Sequence, residues 1–212
     1  MLNRLRFEPA SVRFQRAGEQ AKQLARRIGR APVDVYIDDG DVRLPAERWN
    51  SFWNAFVHVV RNCVDHGLES AEERLRCGKP EHGKLRFRSR QEAGNFVITV
   101  EDDGRGIDWD KVKAKAQSLG LAVATQKDLE TSLFADGLST KDTVTDVSGR
   151  GVGMGAIFAV TLSLGGRVGV QSRKGEGTAF VFTIPVEGND TIPKESQFPG
   201  ARPSLRPLPS SQ

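Results

Sequence analysis

The sequence predicts a two-layer α/β sandwich, an open sheet with helices packed on one face. Three observations carry that expectation. Apolar residues recur at three- and four-residue steps within the first thirty positions and again between 49 and 64. Alternating segments bounded by glycine-containing turns mark strand pairs near 84–101 and 167–186. The 212 residues are enough for one domain with a real core, and no internal repeat is visible.

Each element follows from local chemistry. Val12, Phe14, Ala17, Ala21, Leu24, Ala25 and Ile28 form one apolar stripe, so about 9–29 is an amphipathic helix that Gly29 ends. Val33 to Ile37 alternates as a strand, and Val42 to Leu44 is a candidate to return against it after the Asp39-Gly40 turn. A long helix starts at Pro45, which suits a first turn, and runs to about His66, with Gly67 as its stop. Ser70 to Arg76 is a short helix with a capping-box start. Strands at 84–90 and 96–101 are joined by a turn at 92–95. Helices near 109–119 and 126–134 precede a Gly/Ser/Thr stretch at 135–153. An apolar helix to about Leu164, a Gly165-Gly166 turn, and strands at 167–173 and 178–186 complete the domain. Residues 187–212 hold five of the ten prolines and no apolar periodicity, so a folded domain of 1–187 is followed by a disordered tail or linker, 188–212.

Composition narrows the function classes. No apolar run approaches the roughly 20 residues of a membrane span, and the charged start lacks a signal-peptide core. Cys63 and Cys77 are too few for a disulfide framework or a zinc site, which suits a reducing cytoplasm. The net charge of +4 is uneven: residues 1–30 hold eight basic and two acidic side chains. Without aromatics interleaved in the manner of a base-stacking surface, that segment reads as a solvated helix face or a surface for a protein partner rather than a nucleic-acid site.

Four segments carry chemistry. On the helix 45–66, Trp49, Phe52, Trp53, Phe56, Val57, Val59, Val60, Cys63 and Val64 demand burial, while Asn54, His58, Arg61, Asn62 and Asp65 share one stripe. Such a stripe faces either a polar cavity with its ligand or plain solvent. Cys63, Cys77 and the helix aromatics read as core. Glu101-Asp-Asp-Gly-Arg-Gly-Ile107 follows a strand, where a carboxylate at a tight glycine turn can accept a hydrogen bond from an exocyclic amine. Ser148-Gly-Arg-Gly-Val-Gly-Met154 opens a helix, where glycines and free N–H groups cradle phosphates. It lacks the Gly-Lys-Ser/Thr of a P-loop and the preceding strand of a Rossmann turn. Gly175-Glu-Gly-Thr178 is by itself a hairpin turn.

Taken in this order, the segments closely resemble the ATP-binding catalytic domain of CheA-type chemotaxis histidine kinases, within the GHKL (Bergerat-fold) ATPase superfamily. The matching text is His58-Val-Val-Arg-Asn-Cys-Val-Asp-His-Gly67 for the N box and Asp102-Asp-Gly-Arg-Gly106 for the first glycine box. Phe134 to Thr140 matches the F box and lid, Asp146 to Met154 the second glycine box, and Gly175 to Thr178 the last. The resemblance covers about 5–187 and implies an α+β two-layer sandwich with a mixed sheet, helices on one face and a mobile ATP lid.

Residue roles follow from the resemblance alone. It implies that Asn62 binds the Mg²⁺ bridging the ATP phosphates, with His58 one turn earlier as a second candidate ligand or a phosphate contact; these two are the candidate catalytic residues. Arg61 and His66 would contact phosphates, and Asp65 would lie near the adenine or orient its neighbours. Asp102 would accept the adenine N6 hydrogen bond at the turn of Gly104 and Gly106, disfavouring guanine. Lys111 and Lys115 would reach phosphates or form a solvated face. Ser148, Gly149, Arg150, Gly151, Val152, Gly153 and Met154 would line the phosphate cradle. Ser139, Thr140 and Lys141 would belong to the lid, and Thr178 would sit by the adenine.

Hydrolytic relatives carry a Glu base four residues before the metal Asn, the position of His58 here. The implied activity is therefore transfer of the ATP γ-phosphoryl group, with Mg²⁺ as cofactor, to a histidine on a separate phosphotransfer domain or protein, with a response regulator downstream. The alternative is a nucleotide-binding regulatory or interaction module without transfer. Two of the three histidines lie in the ATP box and His82 sits in a turn, so the phosphoacceptor is expected outside this sequence. The chain is then an excised piece of a larger kinase or a subunit working in trans. One departure is Gly155-Ala-Ile-Phe-Ala-Val160, where the family has an acidic residue and a more polar helix.

Overall fold

The computed structural model describes residues 7–135, 138 and 154–187. Its strands and helices in chain order are β1 (Phe7–Pro9), α1 (Ala10–Arg27), β2 (Val33–Asp38), β3 (Arg43–Pro45), α2 (Ala46–Asn62), a π-helical turn (Cys63–Gly67) and α3 (Ala71–Arg76). There follow β4 (Gly83–Glu92), β5 (Asn95–Asp102), α4 (Trp109–Ser118), α5 (Gln126–Ser132), α6 (Met154–Ser163), β6 (Arg167–Arg173) and β7 (Gly177–Pro185). Five strands form one sheet in the order β2-β4-β5-β7-β6, with β2 parallel to β4 and the other neighbours antiparallel. The sheet is mixed, as the resemblance implies.

Alternation decides which face is covered. Leu85 and Phe87, Ile98 and Val100, Phe180 and Phe182 point to one side and join Phe14 of α1, Phe52 and Phe56 of α2 and Ile157 of α6 in a single core. Its centre is aromatic: Phe14 stacks on Phe87 at 5.3 Å, and Phe52 meets Phe182 edge-on at 5.4 Å. The opposite face is polar, with Arg86 and Arg88 of β4 reaching Glu101 of β5 at 3.2 and 3.5 Å. Beside this core, Val112 and Ala116 of α4 and Leu129 of α5 form a small second cluster.

Two expectations from the sequence are corrected. Residues 43–45 do not return against β2; they pair antiparallel with β1, which leaves β2 free to run parallel to β4. Asp39, Gly40 and Asp41 make the turn, but Gly40 and Asp41 both adopt positive φ, and Ser89 ties the Asp39 carbonyl to β4 at 2.7 Å. The long helix also changes period. Its α-helical part ends at Asn62, and Cys63–Gly67 widens into a π turn closed by the Leu68 N–H on the Cys63 carbonyl at 2.9 Å. Asp65 and His66 therefore do not continue the α-helical stripe.

The apolar stretch after Met154 has a packing explanation. Ile157 is fully buried, and Phe158 stacks on Phe134 at 5.0 Å. That packing against the core and the F-box phenylalanine favours apolar side chains at positions 157 and 158.

Candidate functional site

The end of α2, the end of β5 and the β6–β7 hairpin converge on one carboxylate. Asp102 is the last residue of β5, 3% exposed, and stands opposite Thr178 of β7 in the antiparallel ladder. Burial pushes its carboxyl up to about 7; the N–H groups of Gly104 and Thr178 and the Cys63 thiol partly offset that, while the Asp103 charge adds to it. The Gly104 N–H donates to Asp102 Oδ1 at 3.0 Å. The Cys63 thiol, in the π turn, donates to the same carboxylate, and its own pKa is raised well above the usual thiol value by burial first and by Asp102 second.

Two glycines let these segments touch. A Cβ on Gly67 would lie 2.9 Å from Asp102 Oδ1, and a Cβ on Gly104 would collide with the Gly67 carbonyl. The Arg105 N–H donates to that same carbonyl at 2.9 Å. The N box and the first glycine box thus meet backbone to backbone. From the other side, the Gly175 N–H bonds the Arg105 carbonyl at 2.7 Å. Ser172 of β6 accepts the Ile107 N–H at 2.8 Å, donates to the Gly177 carbonyl at 3.0 Å, and lies 3.0 Å from Thr178 Oγ1. With its one proton spent on Gly177, Ser172 accepts from the Thr178 hydroxyl. Thr178 is 6% exposed beside Asp102, with its oxygen orientation fixed.

The polar side of α2 is set apart from this recess by its electrostatics. His58 is half-buried, and its pKa is lowered by burial and by the charge of Arg61, so the imidazole is neutral at physiological pH. Asn62, one turn on, is half-buried, and its carboxamide has no hydrogen-bond partner among the described residues. Arg61 lies toward α1, lining a groove of about 210 Å³ with Gln20, Leu24 and Arg27. Arg30 holds the π turn through its bond to the Asp65 carbonyl at 2.6 Å and lies 3.9 Å from Asp65 Oδ1. His66 is exposed.

Among the described residues no group of three or more His, Cys, Asp or Glu side chains could cage a metal. An oxygen donor on Asn62 beside a neutral imidazole fits Mg²⁺ only in the form in which phosphate oxygens and waters complete the shell.

The remaining sequence candidates divide by position. Lys111 and Lys115 are exposed on α4, with Asp108 capping that helix through the Lys111 N–H at 3.2 Å. Gly106 adopts positive φ and packs against the Arg173 carbonyl. Met154 opens α6, half-buried against the core. Ser139, Thr140, Lys141, Ser148, Gly149, Arg150, Gly151, Val152 and Gly153 lie outside the described residues. Reading the sequence missed Ser172, whose role appears only when β6 pairs with β7, and it treated Cys63 as core alone. Cys63 is both.

With this geometry in hand, comparison with known proteins identifies its kin. Residues 53–188 match the family described as histidine kinase-, DNA gyrase B-, and HSP90-like ATPase. The gliding motility regulatory protein of Myxococcus xanthus is 36% identical over 186 residues, covering 85% of this chain and 24% of that protein. The chemotaxis protein CheA of Bacillus subtilis is 34% identical over 190 residues, covering 86% of this chain and 28% of that protein. The chain thus spans about a quarter of the length of these relatives. Among solved structures, the catalytic domain of histidine kinase ThkA is similar with a TM-score of 0.54 at 16% identity, covering 84% of this chain and 95% of that one. A mycobacterial sensor histidine kinase, MprB, is similar at 0.53 and 16% identity, with the same two coverages. Both likenesses speak to the fold.

Proposed function

The chain belongs to the histidine kinase-, DNA gyrase B-, and HSP90-like ATPase family, and from that membership we propose that it binds Mg-ATP and transfers the γ-phosphoryl group to a histidine. The acceptor would sit on a separate phosphotransfer domain, with a response regulator downstream, in a cytoplasmic two-component relay of the chemotaxis type. No described helix is long and apolar enough to cross a membrane.

The single observation that carries this reading is the buried Asp102 carboxylate at the Gly67–Gly104 contact. A carboxylate held there by the Gly104 and Thr178 N–H groups and the Cys63 thiol keeps one of its four acceptor sites, which supports acceptance of an exocyclic amine. Ordered from that end, the purine would pack over the backbone of Gly104 with Thr178 beside it, directing the phosphates toward His58 and Asn62. Asn62, with His58 beside it, would hold Mg²⁺ through its carboxamide oxygen. Bound there, the metal supplies neutralisation of phosphate charge in the transfer. His58 stands where a hydrolytic relative would activate water with a carboxylate; burial and Arg61 keep its imidazole neutral, so the site lacks the negative charge that such a relative presents to water, which favours transfer over hydrolysis. In the transfer, the acceptor imidazole nitrogen forms the new P–N bond as the β–γ bridging P–O bond breaks, and ADP leaves with the electron pair.

The test mixes the pure chain with γ-labelled ATP, Mg²⁺ and a panel of isolated phosphotransfer domains from its source. Acid-labile label on one domain, lost with Asn62→Ala, is the expected result. ATP binding without label on any domain would instead support a nucleotide-binding regulatory module.

A further inference from the structure

Directly behind the Asp102 turn lies an ion cluster that the proposed chemistry does not use. Arg74 of α3 is fully buried, a location that demands every donor be matched. Its Nε donates to the Pro80 carbonyl at 2.8 Å, Nη1 to Glu69 Oε2 at 3.1 Å, and Nη2 to Asp103 Oδ2 at 2.8 Å. Lys79 Nζ donates to Glu69 Oε1 at 2.8 Å, to the Asp103 carbonyl at 3.0 Å and to the Gly104 carbonyl at 2.7 Å. Arg74 Nη1 also reaches the Asp103 carbonyl at 3.3 Å. Glu69, itself buried, and the Asp103 carboxylate together balance the two cations.

The two carbonyls gripped by Lys79 belong to consecutive peptide units. Each unit is trans, so its N–H points opposite to its C=O. The unit whose carbonyl is Asp103 carries the Gly104 N–H, which donates to Asp102 Oδ1 at 3.0 Å. The unit whose carbonyl is Gly104 carries the Arg105 N–H, which donates to the Gly67 carbonyl at 2.9 Å. Rotation of either plane would break a bond on both sides at once.

We propose that Lys79, backed by Arg74 and Glu69, is a positioning residue for purine-base recognition: by holding two peptide planes from behind, it aims their N–H groups at Asp102 and Gly67 and so fixes the carboxylate that reads the base. This deepens the proposed function and rests on the reading of Asp102 as the base contact. It accounts for a buried arginine and a half-buried lysine at a place where a merely stable turn could be built from apolar residues.

The test compares ADP with inosine diphosphate, which carries an oxygen where ADP has the exocyclic amine, by titration calorimetry on the full chain. The wild type should prefer ADP. Lys79→Met should weaken ADP about tenfold, as for a lost charge-assisted contact, and leave inosine diphosphate within about twofold, so that discrimination falls. Lys79→Arg should restore most of it. If Lys79→Met does not fold, Glu69→Gln loosens the same ammonium and should narrow the ratio about threefold. Equal weakening of both nucleotides, or a lowered melting temperature with an unchanged ratio, would overturn the proposal and leave a structural brace. A wild type that binds both nucleotides equally would instead overturn the reading of Asp102 itself.

Discussion

Replacing Asp102 with Asn should make the protein more stable above neutral pH and hardly change it below about pH 4. Folding buries the carboxyl and moves its pKa from 3.8 to about 7, which corresponds to about 4 kcal/mol of opposed ionisation. Between those two values the folded chain holds a proton that the unfolded chain has released. Its contribution to stability is therefore fully present below about pH 4, declines as pH rises, and is gone above about pH 7. Glu73 and Asp108, whose pKa values are lowered by helix-cap N–H groups, run the other way and lose stability as pH falls. Only the difference between variant and wild type isolates Asp102. Urea unfolding at pH 5 and pH 8 should show the stability gain of Asp102→Asn rising by about 1–3 kcal/mol between them, the share of the total that falls above pH 5. The lower bound allows for relaxation around the carboxylate and for the bonds from Gly104 and Cys63 that an amide satisfies less well. A gain that is flat across that range would refute the reasoning, because it would mean the carboxyl ionises at its ordinary pKa inside the fold.

Three other outcomes are expected. Asn62→Ala should abolish Mg²⁺-dependent phosphotransfer while leaving magnesium-free ADP binding within about threefold, measured by label transfer and calorimetry. Gly104→Ala should cost more than tenfold in ADP affinity, because its Cβ meets the Gly67 carbonyl and not a movable side chain; unchanged affinity in calorimetry would show that the two loops can part. Phe56→Ala, in the centre of the aromatic core at 1% exposure, should lower stability by about 3–5 kcal/mol as read by chemical denaturation.

Most of the fold was legible because most elements announce themselves locally. The capping box at Ser70 and Glu73 forms as its residues require, with bonds of 3.0 and 3.2 Å. The β4–β5 hairpin forms around residues 92–95, with Ala93 and Gly94 in the left-handed region. What sequence periodicity could not carry was pairing at a distance. Nothing in Arg43-Leu-Pro45 names Phe7-Glu-Pro9 as its partner, and an adjacent strand was the simpler guess. The π turn hides for a different reason: Cys63 and Val64 are apolar in either helical period, so the hydrophobic pattern does not change where the geometry does. The site divides in the same way. Asp102 stands in a motif of its own, whereas Ser172 and Lys79 look like ordinary surface residues until the sheet and the α3 loop bring them beside it. Most of the lid and of the second glycine box lies outside the described residues, and their roles stay with the proposal.

The contact between Gly67 and Gly104 also bears on how such a sequence can drift. In the aromatic core a bulky residue gained at one position can be answered by a smaller one next to it, so many routes lead between workable combinations. Here the atom that a new methyl group on Gly104 would strike is a main-chain oxygen, which every amino acid carries. No compensating change at residue 67 removes it. Position 104 is therefore a point with no neighbouring solutions, and a descendant chain that abandons glycine there must rebuild the loop itself, by insertion or deletion, before it can keep the carboxylate of Asp102 where it is.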